Sequence, residues 1–272
     1  GLDADGIRWF YSSIAGLSVS EAGDKLALLK CTIIFETAIG DLSRAEDAAQ
    51  ALVAQARRLQ DTASLISALK FAHYPPRRLG HLSLARERLQ NAMQLAERYR
   101  RPHARATIVD FLGGLNLDYG YYDEAIRLTH DVTDQPKPLG GAFRQQSAVD
   151  TRAIALCLAG RCDAARQLVS APSAVMARGR QRSKYFSLAA TLMVATCDGD
   201  TRRIDECLSE FDSVRDRLFR HSGLDVIAVA YATALLRARG RHPAVEFAHW
   251  YACVARRDRL PLPAQLAALL EA

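Results

Sequence analysis

Tyr74-Pro75-Pro76-Arg77-Arg78 places an aromatic ring, two rigid imino acids and two guanidinium groups on consecutive positions. Arginine recognises carboxylate and phosphate through paired N–H donors. Proline removes a helical hydrogen bond and clashes with the preceding turn, so this segment should break or kink any helix that contains it. It reads either as the wall of a ligand pocket or as a tolerated local defect. Two other basic clusters stand out: Arg98, Arg100, Arg101 and Arg105, and Arg178, Arg180, Arg182 and Lys184. Nucleic-acid binding would need such clusters to align on one face with aromatic platforms. Only Tyr185 and Phe186 adjoin the second cluster, where a helix begins and core burial is expected, so both clusters read as solvated surface. His249 and Cys253 stand four apart and His242 two turns earlier, but no further ligand lies at metal-binding spacing, which favours packing over a metal site. Gly113-Gly114 and Gly140-Gly141 suit turns or close packing. There is no phosphate-binding G-x-x-x-x-G-K-[ST], no G-x-G-x-x-G, no H-E-x-x-H and no G-x-S-x-G. The chain therefore reads as a non-enzyme with no cofactor and no metal.

The 272 residues carry 36 basic and 30 acidic side chains, a net charge of +6. That excess is too mild to demand a polyanionic partner. Only Lys25, Lys30, Lys70, Lys137 and Lys184 are lysines, a bias that GC-rich coding explains. Cys31, Cys157, Cys162, Cys197, Cys207 and Cys253 include no C-x-x-C pair, and most sit in apolar helical stretches, so a disulfide framework is not expected and a cytoplasmic location fits. No stretch is apolar for long enough to span a bilayer, and no signal peptide opens the chain. It starts on glycine rather than methionine, as an excised segment of a longer protein would, with Gly1 a tag scar and an effector domain lying elsewhere.

What must position these groups is written in the glycines. Gly40, Gly80, Gly120, Gly160, Gly199 and Gly240 recur about every forty residues, and five residues after each comes Ala45, Ala85, Ala125, Ala165, Ile204 or Val245. Such self-similarity marks a repeat array. Each period reads as two helices with glycine in the left-handed position between them and the small residue packed where their backbones approach. The first pair runs from about Ser20, with Ser43 as N-cap of its second helix. Thr62–Leu79 pairs with Ser83–Tyr99, His103–Tyr119 with Asp123–Thr133, and Gly141–Ala159 with Asp163–Val169. Ser183–Cys197 pairs with Thr201–Arg217, and Ser222–Arg239 with Pro243–Arg256. The expectation is one all-α domain over residues 1–272: an N-terminal helix within 1–19, six helix pairs over 20–256, and a C-terminal capping helix within 257–272. No period-2 run of β-branched residues argues for a sheet.

Glycine, then Leu42, Leu82 or Tyr122, then alanine three further on resembles the turn of the tetratricopeptide repeat. Leu112-Gly113 and Gly120-Tyr121-Tyr122-Asp123-Glu124-Ala125 carry the likeness best. The period is forty rather than thirty-four, and the late proline of that pattern is mostly absent. Longer pairs of this sort are similar to the superhelical segments of large bacterial transcriptional activators related to the maltose regulator, and to sensory segments of other bacterial signalling proteins. The resemblance implies a right-handed superhelix whose concave groove is lined by the first helix of each pair. In that register the groove residues are Lys30, Lys70, Tyr74, Arg77 and Arg78, then Asp110, Asp118 and Asp150. A groove part basic and part acidic implies a peptide, protein segment or small effector as ligand. Other classes stay open: an oligomerisation scaffold such as a homodimer, or an enzyme with a groove site. Nucleic acid would be bound through a missing domain.

Overall fold

The computed structural model describes residues 22–39, 41–133, 142–170, 181–215, 225–257 and 263–271. Among these, every regular element is an α-helix and no strand occurs. In chain order they are α1 (Ala22–Ile39), α2 (Leu42–Arg58), α3 (Thr62–Ala72), α4 (Tyr74–Arg78), α5 (Leu82–Arg98), α6 (Pro102–Asp118) and α7 (Tyr122–Thr133). Then follow α8 (Ala142–Leu158), α9 (Cys162–Ser170), α10 (Gln181–Asp198), α11 (Thr201–Asp212), α12 (Asp225–Arg239), α13 (Arg241–Arg257) and α14 (Ala264–Glu271). No described helix is long and apolar enough to cross a membrane. The N-terminal Trp9-Phe10-Tyr11 segment, Gly40, and most of the Arg178–Lys184 cluster lie outside the described residues.

Gly80, Gly120, Gly160, Gly199 and Gly240 all have φ between +69° and +87°. At Gly120 the following residue, Tyr121, donates its N–H back to Asn116 O at 2.9 Å, closing the turn that ends α6. Of the residues five positions on, Ala45, Ala85, Ala125 and Ala165 are fully buried and Ile204 nearly so, whereas Val245 is partly exposed and its neighbour Ala244 is the buried one. Turns between successive pairs use the same left-handed conformation without glycine, at Gln60 (φ 53°) and Arg100 (φ 50°), forty residues apart. Asp41, not Ser43, caps α2, accepting from the Arg44 N–H at 3.2 Å; an aspartate at that position offers the N-terminal amides a full negative charge.

Pro75 and Pro76 interrupt the helix without ending its course: α3 stops at Ala72 and α4 resumes at Tyr74, with the prolines in its first turn. His73 keeps right-handed helical angles between α3 and α4, and Arg77 N–H still reaches His73 O at 3.1 Å. Pro76 cannot bond the Ala72 carbonyl, and Arg88 on α5 does so, Nη1 to oxygen 2.5 Å. The same guanidinium forms a bidentate pair with Glu46 on α2, so one side chain ties together three helices around the interruption.

Helices pack on their neighbours in sequence, and helices that precede successive glycine turns also pack on one another: α6 on α8, α8 on α10, α10 on α12; for α10 these contacts outweigh those with α9 and α11. One contact spans much further, α6 against α12. The apolar interior follows the same division. One continuous cluster runs from Leu117 and Ala125 through Leu192, Phe211 and Tyr231 to Leu266, while the region of α1 to α6 is filled by smaller separate clusters.

Candidate functional site

Lys30, Lys70, Asp110 and Asp150 occupy one register position, forty residues apart, on α1, α3, α6 and α8. Their surroundings divide them into two kinds. Asp110 and Asp150 are buried and serve the same joint in successive repeats. Asp110 accepts from Ser147 Oγ at 2.7 Å and from Arg144 Nη1 at 2.8 Å. Asp150 accepts from Ser187 Oγ at 2.6 Å and Gln146 Nε2 at 2.8 Å. In each joint the serine lies 37 residues after the aspartate, on the next helix of the row. Burial pushes the Asp150 carboxyl up to about 7, against the two hydrogen bonds that favour its charged form; the Asp110 charge adds to the upward push.

Arg77 and Asp118 also leave the list of free recognition groups. Arg77 donates Nε to Asp118 Oδ2 at 2.7 Å and Nη2 to the same oxygen, and the two side chains are only 11% and 6% exposed. The pair bridges α4 to α6, and Tyr119 Oη donates to the Arg77 carbonyl at 3.1 Å beside it. A buried charge in such a pair is occupied by its partner and is costly to strand. Arg78 is half-buried on the same short helix.

The basic half is built differently. Lys30 Nζ and Lys70 Nζ stand 5.9 and 5.1 Å from the centroid of the Phe71 ring. Arg144 lies over Phe111, its guanidinium carbon 5.0 Å from that centroid. Tyr74 joins the two rings, 6.2 Å from Phe71 and edge-on to Phe111 at 5.7 Å. His73, fully buried, backs the cluster at 4.3 Å from Tyr74 and 5.0 Å from Phe111. Burial depresses the Lys70 pKa, and the Arg144 and Lys30 charges depress it further. Neither lysine forms an ion pair with a carboxylate among the described residues. Lys30, Lys70, Phe71, Tyr74, Phe111 and Arg144 are each partly exposed, so three cations share an accessible aromatic floor.

Phe71, Phe111 and Arg144 were not among the sequence candidates. The two phenylalanines are forty residues apart and one position after Lys70 and Asp110, so the repeat register held a signal for them. Arg144 held none, since the equivalent positions are Ser64 and Ala104. The remaining candidates resolve simply. His249 and Cys253 are exposed on α13 rather than packed, and His242 faces Glu246 at 3.3 Å. No group of metal-ligating side chains forms among the described residues. Tyr185 is buried and Phe186 partly so.

The expectation of unpaired thiols fails at one place. Cys162 and Cys197 form a disulfide, with Cα atoms 5.9 Å apart. Cys162 stands two residues after one glycine and Cys197 two before the next, and stacking of successive repeats brings those positions together. Tyr122 and Leu158 hold the same two places one repeat earlier. The bonded pair removes the thiol argument for a reducing compartment. No protein-family model matches the chain, and a comparison with curated proteins found no relative.

Proposed function

We propose that the chain is a non-enzymatic regulatory module: a right-handed solenoid of tetratricopeptide-like helix pairs that binds an anionic peptide, protein segment or small effector in its groove. One observation carries this reading. Lys30 and Lys70 share the Phe71 ring, in reach of the Arg144 charge, with no carboxylate partner among the described residues. Clustered cations that repel one another gain most from an incoming anion, and the aromatic floor keeps their local dielectric low. The ligand-binding end is the basic one; the acidic residues of the sequence reading act as joints between repeats. The repeat resemblance supports a place in a cytoplasmic bacterial signalling or transcription-regulating protein. Ligand would then favour one curvature of the array, by no more than its differential affinity for the two forms.

The test uses two anionic probes on the full chain. A fluorescein-labelled hexaglutamate peptide is followed by anisotropy and phenyl phosphate by calorimetry, both at low salt. At least one should bind saturably and lose tenfold or more in affinity in the Lys30→Ala, Lys70→Ala double variant at unchanged helicity. Saturable binding by neither overturns the reading.

A further inference from the structure

We infer that the Lys30–Lys70 cluster takes a phosphate monoester in its dianionic form. This rests on the binding reading above and narrows it. The charges nearest the Phe71 and Phe111 rings are Lys30, Lys70 and Arg144, against Asp110, which holds Arg144 at 2.8 Å. With Arg144 engaged by Asp110, the two lysine ammonium groups at the Phe71 ring carry two positive charges. A single carboxylate would neutralise half of that. A phosphate monoester carries between one and a half and two negative charges near pH 7 and offers three acceptor oxygens. The free cations are ammonium groups, which bind phosphate as point charges and need no fixed planar partner. They lie 5.9 and 5.1 Å from one ring centroid and each feels the other's charge, which favours a compact multiply charged group over the spaced single charges of an acidic peptide. The cations are flanked by the part-exposed faces and edges of Phe71, Tyr74 and Phe111. That apolar margin suits the organic portion of an ester, and inorganic phosphate would leave it wet.

The experiment compares three probes by calorimetry on the full chain at low ionic strength. Phenyl phosphate tests the ester. Phenyl sulfate has the same shape with one charge, and inorganic phosphate has the charge without the ring. Phenyl phosphate should saturate one site and bind at least tenfold tighter than either of the others. Lys70→Met and, separately, Lys30→Met should each weaken it tenfold or more, with circular dichroism and thermal midpoint confirming that the variants fold. Equal affinity for phenyl sulfate overturns the dianion, equal affinity for inorganic phosphate overturns the ester, and indifference to both lysine variants overturns the location. Binding of hexaglutamate without binding of phenyl phosphate leaves the wider reading intact and defeats this one.

Discussion

Asp150 shows how far a residue's role depends on what packs around it. Its register mates Lys30 and Lys70 stay accessible, yet Asp150 is almost completely buried between Gln146 and Ser187. Its carboxyl, ordinarily near 4, titrates at about 7 in the folded chain. The folded state therefore binds more protons than the unfolded state between those values. Its contribution is neutral below about pH 4 and becomes progressively destabilising as pH rises towards 7. Asp150→Asn keeps the shape without the charge. It should be more stable than the wild type at pH 8, by on the order of 4 kcal/mol, and close to it at pH 4. Urea titrations of both proteins across that range provide the measurement, and parallel stability profiles would count against the buried carboxyl as the cause. The sequence reading took Asp110, Asp118 and Asp150 as ligand groups because a charge at a groove position looks the same whether solvent or a serine from the next repeat meets it. Arg77 was read as a groove group for the same reason: its partner Asp118 lies 41 residues away, and nothing local to Arg77 announces the pairing.

At the scale of elements, much more was legible. A left-handed turn without Cβ strain needs glycine, so the turns inside pairs were visible as a ladder, whereas Gln60 and Arg100 make equivalent turns with residues that carry no such signature. The proline pair was read as a break or kink, and the helix is interrupted at His73; what the chain alone does not show is Arg88 arriving to bond the Ala72 carbonyl. Gly113 belongs to the legible part. A Cβ there would stand 2.7 Å from Thr129 Cγ2, and Thr129 is itself fixed, buried and donating to Ala125 O at 2.7 Å. Gly113→Ala should thus lose stability although alanine favours helix. Overpacking costs about 1–3 kcal/mol against a propensity gain of about 1 kcal/mol. Adding Thr129→Ser removes the obstructing methyl and should restore most of the loss. Thermal unfolding of the single and double variants decides the point; a single variant at least as stable as the wild type would refute this close approach of α6 and α7.

For the whole molecule the forty-residue period predicts neighbour-to-neighbour stacking but says nothing of how tightly the row bends. The α6–α12 contact answers in part. It accompanies the continuous core from Leu117 to Leu266. That contact, made among the described residues, also changes how the chain should come apart. A linear array unravels from either end, one unit at a time, because each unit is held only by its neighbours. Once helices more than a hundred residues apart touch, the stretch between them forms a closed circuit, and opening any link weakens the others. Amides in α6 to α12 should therefore exchange with solvent as one cooperative block, and those in α1 to α3 should open earlier and independently. Hydrogen exchange read by mass spectrometry would resolve the two classes, and a smooth gradient of protection along the chain would contradict the circuit. On that expectation the lysines at 30 and 70 lie in the segment that opens first, and the proposed anion would do more than fill a site: it would set the protection of the segment that carries it.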